Sequence, residues 1–484
     1  MGIDLGTSSV KVVVTDLSGT IQAISRQRYS IDLVKEDVEE QNADDWLMAT
    51  ITAVRHIEPK VLRNIRSIAF TGQMHAVVPV DSSYRPLAKA LLWFDHRAYL
   101  EVEILRAKLM NCKDSRYTHV QLDETLPLAK ILWLQHQMNE QWSDIRCFLG
   151  AKDWLRCQFG GSAVTDFSEA SGTQMFDEEM WIWDRYLIEL AGIQVSQLPL
   201  IQSSFSIDGI VSPRMAELTG LPAGCSLLVG GGDFPCVAGL IKLKSNDVLI
   251  NIGTSCQIAT ILPKEQGKIK ESRFARVDQL GWLTVVPLLS FGMCIDWLST
   301  IIGSDVYGKL KDVSTQNSPL LFLPQISGER SWHPHRLNAG AFLGLTSKHG
   351  PDDMVSAVIE GMVMSVKEAY IRLQEHPLLN GRIILMGTKS FTDALAKEIS
   401  AALNSSIYVY HFIEPTAEGA AFLAKRSLLG QDMSSMDQNG IPFHQVEPHA
   451  QRVEWYMKYY PIYERAREAN YGILNSLSSV IHHY

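Results

Sequence analysis

The sequence lacks the features that mark a secreted, membrane-spanning or zinc-binding protein. Its seven cysteines are dispersed over 484 residues without a Cys-x-x-Cys pair, which is typical of reduced, buried thiols in a cytoplasmic protein. No His-Glu-x-x-His motif occurs, so we do not expect a structural metal site. The most apolar stretch, residues 225–241, contains Asp233 and Pro235, and a carboxylate there argues against a membrane-spanning helix.

A surplus of positive charge is also missing. Lys and Arg number 44 against 53 Asp and Glu, a formal net charge of −9, so the composition does not indicate binding to nucleic acid or to a membrane surface. No basic segment precedes the first apolar residues, and we expect no secretory signal. With 46% hydrophobic and 20% charged residues, the composition is that of a globular chain, and the length predicts two to four domains.

One pattern occurs twice, about half the chain apart. A Gly-Thr-Ser turn at residues 6–8 joins two apolar strand segments, and a second turn of the same sequence lies at residues 253–255. In each half a later strand segment ends in glycine, at Gly72 and at Gly387. This weak duplication predicts an α/β fold of two similar domains that face each other, divided between residues 236 and 246.

Helices are predicted in the intervals between these strands. Apolar residues with a helical period predict helices over residues 45–56, 351–373 and 418–428,. A further helix is predicted to begin with Thr392 as its N-terminal cap,. Together with the strands, these helices complete the α/β pattern.

Both Gly-Thr-Ser turns are candidate phosphate-binding sites. A tight turn of these residues presents backbone N–H groups and hydroxyls to an anion, and two such turns can hold different phosphates of one nucleotide. Asp4 directly precedes the first turn and is a candidate Mg²⁺ ligand, because Mg²⁺ favours one or two carboxylates together with phosphate oxygens. An ordinary hairpin loop explains either turn taken alone, but the repetition and Asp4 favour phosphate binding.

A run of three glycines precedes a candidate catalytic aspartate. Residues 230–232 are all glycine and Asp233 follows them at the end of an apolar segment. Glycines allow the backbone to approach a ligand closely, and a carboxylate at this place can accept the proton of a hydroxyl that attacks a phosphate. The alternative is that Asp233 only caps the helix that follows it.

Two further polar segments are candidates for contact with a sugar. In the segment 93–97, Trp-Phe-Asp-His-Arg, the tryptophan can pack against a sugar ring while the aspartate and arginine bind hydroxyls. The alternative is a salt-bridged pair at the start of a helix. Gln73-Met74-His75 follows an apolar strand, although a single histidine is more often an ordinary core or surface residue. For Lys152-Asp153, a stabilising role is at least as well supported as a catalytic one.

In this order the motifs resemble the successive blocks of the FGGY carbohydrate kinases, most of all those of the xylulokinases. The matching segments read GIDLGTSSVK, TGQMH, WFDHRA, AKDWLR, TDFSEASGTQMFD, GGGDF, NIGTS and EGAAFLA. The resemblance implies two actin-like (ribonuclease H-like) domains, a sugar-binding domain over residues 1–241 and a nucleotide-binding domain over 242–484, with the active site in the cleft between them. It also implies ATP and Mg²⁺ as cofactors, a homodimer, and phosphorylation of a ketose or related polyol, with D-xylulose as the default substrate.

The resemblance also implies roles for individual residues. Asp233 becomes the general base, and Asp4 becomes the carboxylate linked to Mg²⁺. The residues implied in substrate binding are Met74, His75, Trp93, Asp95 and Phe234. The residues implied in nucleotide and phosphate binding are Thr7, Ser8, Lys11, Gly253, Thr254, Ser255, Gly387 and Lys389. Glycerol is disfavoured as the substrate, because glycerol kinases have an Arg-Glu type sequence where this chain has Met74-His75.

Three positions depart from the xylulokinase pattern. Phe94 and Phe234 stand where an asparagine is usual, and the block 386–390 keeps only Gly387 of a run of glycines. An aromatic ring in place of an amide removes a hydrogen-bonding partner and can change substrate discrimination strongly. Two alternatives therefore stay open: a kinase for a different sugar, and a catalytically weakened sugar-binding or regulatory homologue. An actin-like or heat-shock-type ATPase is disfavoured by the two sugar-side segments.

Overall fold

A computed structural model gives the fold of the chain as two units. The model describes residues 1–30, 32–35, 38–117, 120, 122–241, 243–262, 272–276, 281–303, 306, 320–328, 339–374, 380–430 and 442–481. Unit 1 comprises Met1–Lys242, Arg273–Trp282 and Glu414–Asp437, and unit 2 comprises Leu243–Ser272, Leu283–Ile413 and Gln438–Tyr484. Each unit therefore combines separate stretches of the chain. The predicted sugar-binding and nucleotide-binding domains, in contrast, divide the chain at one point, after residue 241.

Strands and helices both occur throughout the described residues, and five strands precede the first helix. The strands are β1 (Gly2–Leu5), β2 (Ser9–Thr15), β3 (Ile21–Arg28), β4 (Asp32–Lys35), β5 (Val38–Gln41), β6 (Ser67–Gly72), β7 (Val78–Val80), β8 (Ala90–Leu91), β9 (Cys147–Leu149), β10 (Val164–Asp166), β11 (Phe176–Asp177), β12 (Ile182–Trp183), β13 (Leu200–Gln202), β14 (Ile207–Ile210), β15 (Ser226–Leu228), β16 (Val248–Ile252), β17 (Cys256–Leu262), β18 (Ser272–Ala275), β19 (Trp282–Leu288), β20 (Leu321–Leu323), β21 (Ala341–Leu343), β22 (Ile383–Thr388), β23 (Ile407–Phe412) and β24 (Phe443–Val446). The helices are α1 (Ala43–Arg55), α2 (Pro59–Leu62), α3 (Tyr99–Met110), α4 (Pro127–Gln137), α5 (Ala151–Phe159), α6 (Phe167–Ser171), α7 (Arg185–Leu190), α8 (Pro213–Thr219), α9 (Asp233–Leu240), α10 (Gly292–Ile302), α11 (Pro351–Gln374), α12 (Lys389–Leu403), α13 (Pro415–Leu428) and α14 (Ala450–Ile481).

The main sheets of the two units have the same plan. In unit 1 the order is β3-β2-β1-β6-β15-β14, and in unit 2 the corresponding order is β19-β17-β16-β22-β23-β24. The first hairpin strand of each unit pairs antiparallel with the second, β1 with β2 and β16 with β17. It also pairs in parallel with a later strand, β1 with β6 and β16 with β22. Because parallel pairing needs a crossover connection, these mixed sheets confirm the predicted α/β class and its duplication.

A glycine occupies the same register position in both sheets. Gly72 lies opposite Leu5, and Gly387 lies opposite Ile252. A Cβ atom added at Gly72 would lie 2.7 Å from the Leu5 carbonyl oxygen, and one at Gly387 would lie 2.3 Å from the Ile252 carbonyl oxygen. Any side chain would therefore push the parallel strands apart beside each Gly-Thr-Ser turn. The glycines that end the later strands are thus required by the sheet itself.

Two aromatic pairs lie within the mainly aliphatic core of unit 1. Trp46 and Trp154 are fully buried and meet edge to face, with ring centroids 6.0 Å apart. Phe70 of β6 packs on Phe159 of α5, with ring centroids 5.4 Å apart. Truncating an aromatic side chain in such a core costs about 3–5 kcal/mol. The second pair fixes β6 on α5, and the candidate site follows at the ends of β6 and of β1, the strand paired with it.

One predicted helix start is wrong. Thr392 was expected to cap the helix, but α12 begins at Lys389 and Thr392 lies buried within it. Strand β22 leads directly into α12 without a connecting loop, so the helix starts before a separate cap residue is reached. The predicted helices over 45–56, 351–373 and 418–428 are present as α1, α11 and α13, with no end shifted by more than three residues.

The described residues contain no helix that is both long and apolar enough to cross a membrane. All seven cysteines are free thiols, and six of them are buried. The burial of most of these thiols agrees with the prediction from their dispersed positions.

Candidate active site

The first Gly-Thr-Ser turn closes the hairpin between β1 and β2. Its backbone is tightened by a hydrogen bond from the Gly6 N–H to the Ser9 carbonyl, 3.1 Å long. Asp4 lies directly opposite Lys11 in the register, and the Lys11 Nζ is 3.3 Å from the Asp4 Oδ2. The Asp4 side chain is only 4% exposed. The hairpin therefore places a buried carboxylate and an ammonium side by side at the base of the turn.

Lys11 also faces a second carboxylate from a distant part of unit 1. The Glu414 Oε2 lies 3.6 Å from the Lys11 Nζ, and the Glu414 Oε1 lies 3.1 Å from Arg26. The pKa of Lys11 is raised, first by the charge of Asp4 and then by that of Glu414, against the opposing effect of burial. Lys11 is therefore positively charged at neutral pH and is oriented by both carboxylates.

Side chains from other segments hold the turn itself. The Trp93 Nε1 donates a 2.9 Å hydrogen bond to the Thr7 Oγ1, and the Gln41 Nε2 donates a 2.8 Å bond to the Thr7 carbonyl. The Tyr29 hydroxyl donates to the Gly6 carbonyl. Ser8 is exposed at the tip of the turn. The structure thus brings Trp93, a candidate sugar residue, into direct contact with Thr7, a candidate phosphate residue.

Asp233 begins α9 directly after the three glycines. Its Oδ1 accepts a 2.7 Å hydrogen bond from the Phe234 N–H. Burial raises the pKa of Asp233 to about 7; the bond from Phe234 and the charge of Lys11 act to lower it, while the charge of Asp4 acts to raise it. The pKa of Asp233 therefore depends on both charged residues of the first hairpin, Asp4 and Lys11. A carboxyl group with a pKa near 7 can exchange a proton at neutral pH.

Met74 lies against the glycine that precedes Asp233. A Cβ atom added at Gly232 would lie 2.6 Å from the Met74 sulfur, and one added at Gly172 would lie 3.1 Å from the Met74 Cε. Met74 is buried, and both glycines leave room for its side chain. Three segments that are far apart in the sequence therefore meet beside Asp233.

His75 has a left-handed backbone, with φ at 67°. Such a conformation costs a non-glycine residue free energy and persists only where the surroundings hold it. The His75 Nδ1 is 2.9 Å from the Gly172 carbonyl oxygen, and the buried Lys130 donates a 3.1 Å hydrogen bond to the His75 carbonyl. Lys130 also donates to the Leu92 carbonyl. It thereby joins the two candidate sugar segments, a role that the sequence alone did not reveal.

The segment 93–97 contains a buried ion pair. Asp95 is fully buried, and its carboxylate accepts bonds of 2.9 and 2.8 Å from the Arg97 Nε. Arg97 also lies 3.2 Å from Glu40 and 4.8 Å from the ring centre of Trp133. This geometry matches the salt-bridged alternative and fits a role for Asp95 in holding the loop. The neighbouring Phe94 ring packs edge to face on Trp93, with ring centroids 4.8 Å apart.

A buried polar network supports the glycine loop from behind. Lys152 lies 2.7 Å from Asp153 and 3.0 Å from Asp166, and all three side chains are almost completely buried. Asp166 accepts a hydrogen bond from the Ser168 hydroxyl, whose oxygen accepts a 2.9 Å bond from the Gly232 N–H. Through Ser168 the network fixes the residue directly before Asp233. For Lys152 and Asp153 the sequence supported a stabilising role at least as well as a catalytic one, whereas Asp166 and Ser168 stood only within a family-like block.

The second Gly-Thr-Ser turn is held by backbone bonds within unit 2. The Gly253 N–H donates a 2.8 Å bond to the Ser255 carbonyl. The start of α10 donates to the turn through the Gly292 N–H to Gly253 and the Met293 N–H to Thr254, both 3.0 Å long. Gly253 and Thr254 are exposed. The turn therefore presents an open, rigid backbone surface.

The glycine block lies beside this turn. Gly387 pairs with Ile252, which directly precedes Gly253. The φ of Gly387 is 156°, and the close Ile252 carbonyl leaves no space for a side chain. Lys389 is the first residue of α12, but its side chain is outside the described residues. Two motifs about 130 positions apart in the sequence thus become neighbours in unit 2.

The first hairpin has a donor set that suits Mg²⁺. Mg²⁺ prefers oxygen ligands and is usually held by one or two carboxylates together with waters and phosphate oxygens. Asp4 provides one buried carboxylate, and Thr7 provides a hydroxyl in the adjoining turn. Among the described residues, three metal-ligating side chains that lie close together are found in unit 2: Asp393, His411 and His444. The residues present therefore fit a phosphate-linked Mg²⁺ better than a metal held by the protein alone.

Comparison with known families gives two adjoining matches. The model of the N-terminal domain of the FGGY family of carbohydrate kinases matches residues 1–239. The model of the C-terminal domain of the same family matches residues 249–428. Together these matches account for most of the chain.

Individual relatives include kinases for more than one substrate. Xylulose kinase of Escherichia coli K12 is 28% identical over 372 residues, covering 75% of this chain and 76% of that protein. Gluconokinase of Bacillus subtilis 168 is 26% identical over 448 residues, covering 87% of this chain and 86% of that protein.

Solved structures share the whole fold. Ligand-bound xylulose kinase from Lactobacillus acidophilus superposes with a TM-score of 0.86 at 23% identity, covering 98% of this chain and 99% of that chain. Gluconate kinase from the same organism superposes with a TM-score of 0.85 at 24% identity, covering 97% of each chain. These likenesses confirm the predicted pair of actin-like domains.

Proposed function

The chain belongs to the FGGY family of carbohydrate kinases, and from this premise we propose that it transfers the γ-phosphoryl group of ATP to a hydroxyl of a ketose or related polyol. D-xylulose is the proposed substrate. The observation that supports this most strongly is the environment of Asp233, a partly buried carboxyl group with a pKa of about 7 beside the charges of Asp4 and Lys11. Such a group is suited to take a proton from a sugar hydroxyl.

In the proposed mechanism Asp233 acts as the general base. The ionised carboxylate accepts the proton of the attacking hydroxyl while the sugar oxygen forms a bond to the γ-phosphorus and the bond to ADP breaks. The proton then leaves Asp233 to solvent and restores the carboxylate. Ser168 and the buried network behind it hold the Gly232 N–H, and so keep Asp233 at a fixed position.

The first hairpin is proposed to bind the transferred phosphate. Lys11 supplies a positive charge oriented by Asp4 and Glu414. The backbone and hydroxyls of Thr7 and Ser8 supply hydrogen-bond donors to phosphate oxygens. Asp4 would hold Mg²⁺ on this side, and the ion when bound would offset the phosphate charge.

Unit 2 is proposed to bind the nucleotide. Gly253, Thr254 and Ser255 present backbone N–H groups and hydroxyls in a turn fixed by α10. Gly387 adjoins this turn and presents a flat backbone surface that suits a nucleoside. Lys389 is proposed to reach a phosphate from the start of α12.

The sugar-binding residues are proposed to be Met74, His75, Trp93 and Phe234, with Asp95 acting mainly by fixing the loop. Phe234 is buried beside Asp233, so the proposed pocket is less polar than one with an asparagine there. This difference is the reason to test other substrates, including the aldonate that the gluconokinase relatives' name indicates. Seven free thiols suit the proposed cytoplasmic location, and a homodimer stays a prediction from the family resemblance.

An assay of ADP release tests the proposal. ATP·Mg²⁺ is supplied with D-xylulose, D-ribulose, D-gluconate or glycerol, and we expect the highest kcat/KM with D-xylulose. Asp233→Asn should lower kcat by about 10³-fold or more, because the general base is lost. Asp45→Asn, at an exposed position of α1, is the matched control and should behave like the wild type.

Two results would contradict the proposal. A higher kcat/KM for gluconate would replace D-xylulose as the substrate while leaving the kinase activity in place. If no sugar accelerated ADP release and calorimetry detected sugar binding without ATP binding, the regulatory alternative would replace the enzyme.

A further inference from the structure

Three metal-ligating side chains converge at one place in unit 2, although they are far apart in the sequence. Asp393 lies in α12, His411 in β23 and His444 in the adjoining strand β24. His444 lies opposite Val409 in the antiparallel register. His411 is two positions beyond Val409, so the two histidines are diagonal neighbours on the same face of the sheet.

The ligand atoms are already close to one another. The Asp393 Oδ1 is 3.3 Å from the His411 Nε2 and 3.9 Å from the His444 Nε2. All three ligand atoms lie within 4.8 Å of one another. The imidazole rings are tilted by 30° to each other, with centroids 5.1 Å apart. The two Nε2 atoms therefore approach the same carboxylate oxygen from neighbouring strands.

These separations are close to those of ligands around one metal ion. Zinc binds imidazole nitrogen and carboxylate oxygen at about 2.0–2.2 Å, so two ligands of a tetrahedral ion are roughly 3.3–3.5 Å apart. The separation of Asp393 and His411 already has this value. The His444 Nε2 needs to move inward by a few tenths of an ångström with respect to Asp393, and the two histidine nitrogens, which lie within 4.8 Å of each other, need to come closer together as well. Its side chain is 46% exposed, which leaves it free to make this adjustment.

We propose that Asp393, His411 and His444 form a binding site for a divalent transition-metal ion such as Zn²⁺. Two imidazoles and one carboxylate suit Zn²⁺, Ni²⁺ or Cu²⁺, whereas Mg²⁺ and Ca²⁺ prefer oxygen ligands alone. The partly exposed ligands leave room for water to complete the coordination. The site is distinct from the Mg²⁺ proposed beside Asp4, which lies in unit 1.

The ion would stabilise the edge of the unit 2 sheet. Among the described residues, strand β24 is the last strand of that sheet and pairs with β23. A metal bound to all three residues would link β23 and β24 to α12. An ion that binds only the folded state raises its stability in proportion to the logarithm of the ion concentration over Kd. The effect is independent of the phosphoryl transfer.

The alternative is a set of ordinary surface ion pairs. A partly exposed aspartate between two histidines gains little stability, about 0–1 kcal/mol per pair. Such pairs need protonated histidines, so they would strengthen at acid pH. A metal site needs deprotonated imidazoles and would weaken there.

Calorimetric titration of the full chain with Zn²⁺ tests the proposal. The protein is first freed of metal with a chelator and then titrated at pH 7.5 without nucleotide or sugar. We expect one equivalent of Zn²⁺ to bind, and we expect His444→Ala to weaken that binding by at least about tenfold, the loss of one ligand. His449→Ala removes an exposed histidine five positions further on and should leave the affinity unchanged.

X-ray absorption at the zinc edge provides a second readout. The bound ion should show two imidazole nitrogens in the wild type and in His449→Ala, and fewer in His444→Ala. Absence of stoichiometric binding, or equal affinities and spectra for the wild type and His444→Ala, would overturn the proposal. Because no substrate is present, a failed kinase assay has no bearing on the result.

Discussion

The two Gly-Thr-Ser hairpins join strands that pair in the same way, but they differ in turn length, four residues against three, and in the side chains at their bases. In the first, Asp4 faces Lys11 across the strands at 3.3 Å. In the second, the corresponding pair is Asn251 and Gln257, joined by a 2.9 Å bond between their amides. A charged pair in unit 1 thus corresponds to a neutral pair in unit 2.

The two turns are also held in different ways. Trp93 and Gln41 donate side-chain hydrogen bonds to Thr7 in the first turn. In the second, backbone N–H groups at the start of α10 donate to the carbonyls of Gly253 and Thr254. The paired strands and the adjoining glycines are therefore common to both halves, while the chemistry depends on which side chains surround each turn.

Exchanging the residue types at positions 4 and 251 tests this difference between the hairpins and should give the largest effect on the kinetics. Asp4→Asn gives the first hairpin the amide of the second, and we expect kcat to fall by about 10²-fold or more because the phosphate side loses its carboxylate. The reciprocal Asn251→Asp adds a negative charge beside the proposed nucleotide turn. It should raise KM for ATP by roughly tenfold while changing kcat little. Steady-state kinetics with ATP and sugar varied separately measures both.

Equal effects of the two exchanges would remove the distinction between a catalytic and a binding hairpin. Thermal unfolding of each variant is the control, since both replacements are nearly isosteric. A kcat for Asp4→Asn within a few-fold of the wild type would show that the carboxylate is not needed for phosphoryl transfer.

Removing the hydroxyl behind the glycine loop should have a smaller effect. Ser168→Ala leaves the Gly232 N–H without its acceptor, and an unsatisfied buried donor costs about 1–3 kcal/mol of unfolding free energy. Because the loop positions Asp233, we also expect kcat to fall by about tenfold with little change in KM for the sugar. Denaturant unfolding and steady-state kinetics check the two parts.

Ser82→Ala, in an exposed loop, is the control and should change the unfolding free energy by less than about 0.5 kcal/mol. If Ser168→Ala lost stability but kept the full kcat, Ser168 would support the fold without positioning Asp233.

The strands and turns of both sheets were predictable from the sequence because short-range rules determine them. Apolar strand segments interrupted by Gly-Thr-Ser leave few other local structures, and glycines at 72 and 387 end the later strands of both halves. The start of α12 was not predictable in this way. Thr392 satisfies the rule for a helix cap, but the direct passage from β22 into the helix overrides it.

The partners of the candidate residues could not be predicted, because they come from distant parts of the chain. Lys130 binds the carbonyls of His75 and Leu92, and nothing near Lys130 in the sequence indicates this. The same holds for His411 and His444. Their proposed metal site runs against the expectation of no structural metal, which was based only on closely spaced motifs.

The pH dependence of kcat/KM for the sugar tests most directly the claim that Asp233 is a general base tuned by the first hairpin. A base must be deprotonated to act, so kcat/KM of the wild type should fall below an apparent pKa of about 7,. Asp4 raises the pKa of Asp233 and Lys11 lowers it, so Asp4→Asn should move the acid limb to lower pH and Lys11→Met to higher pH. A profile that stays flat from pH 5 to 9, or an acid limb that both variants leave in place, would contradict the account.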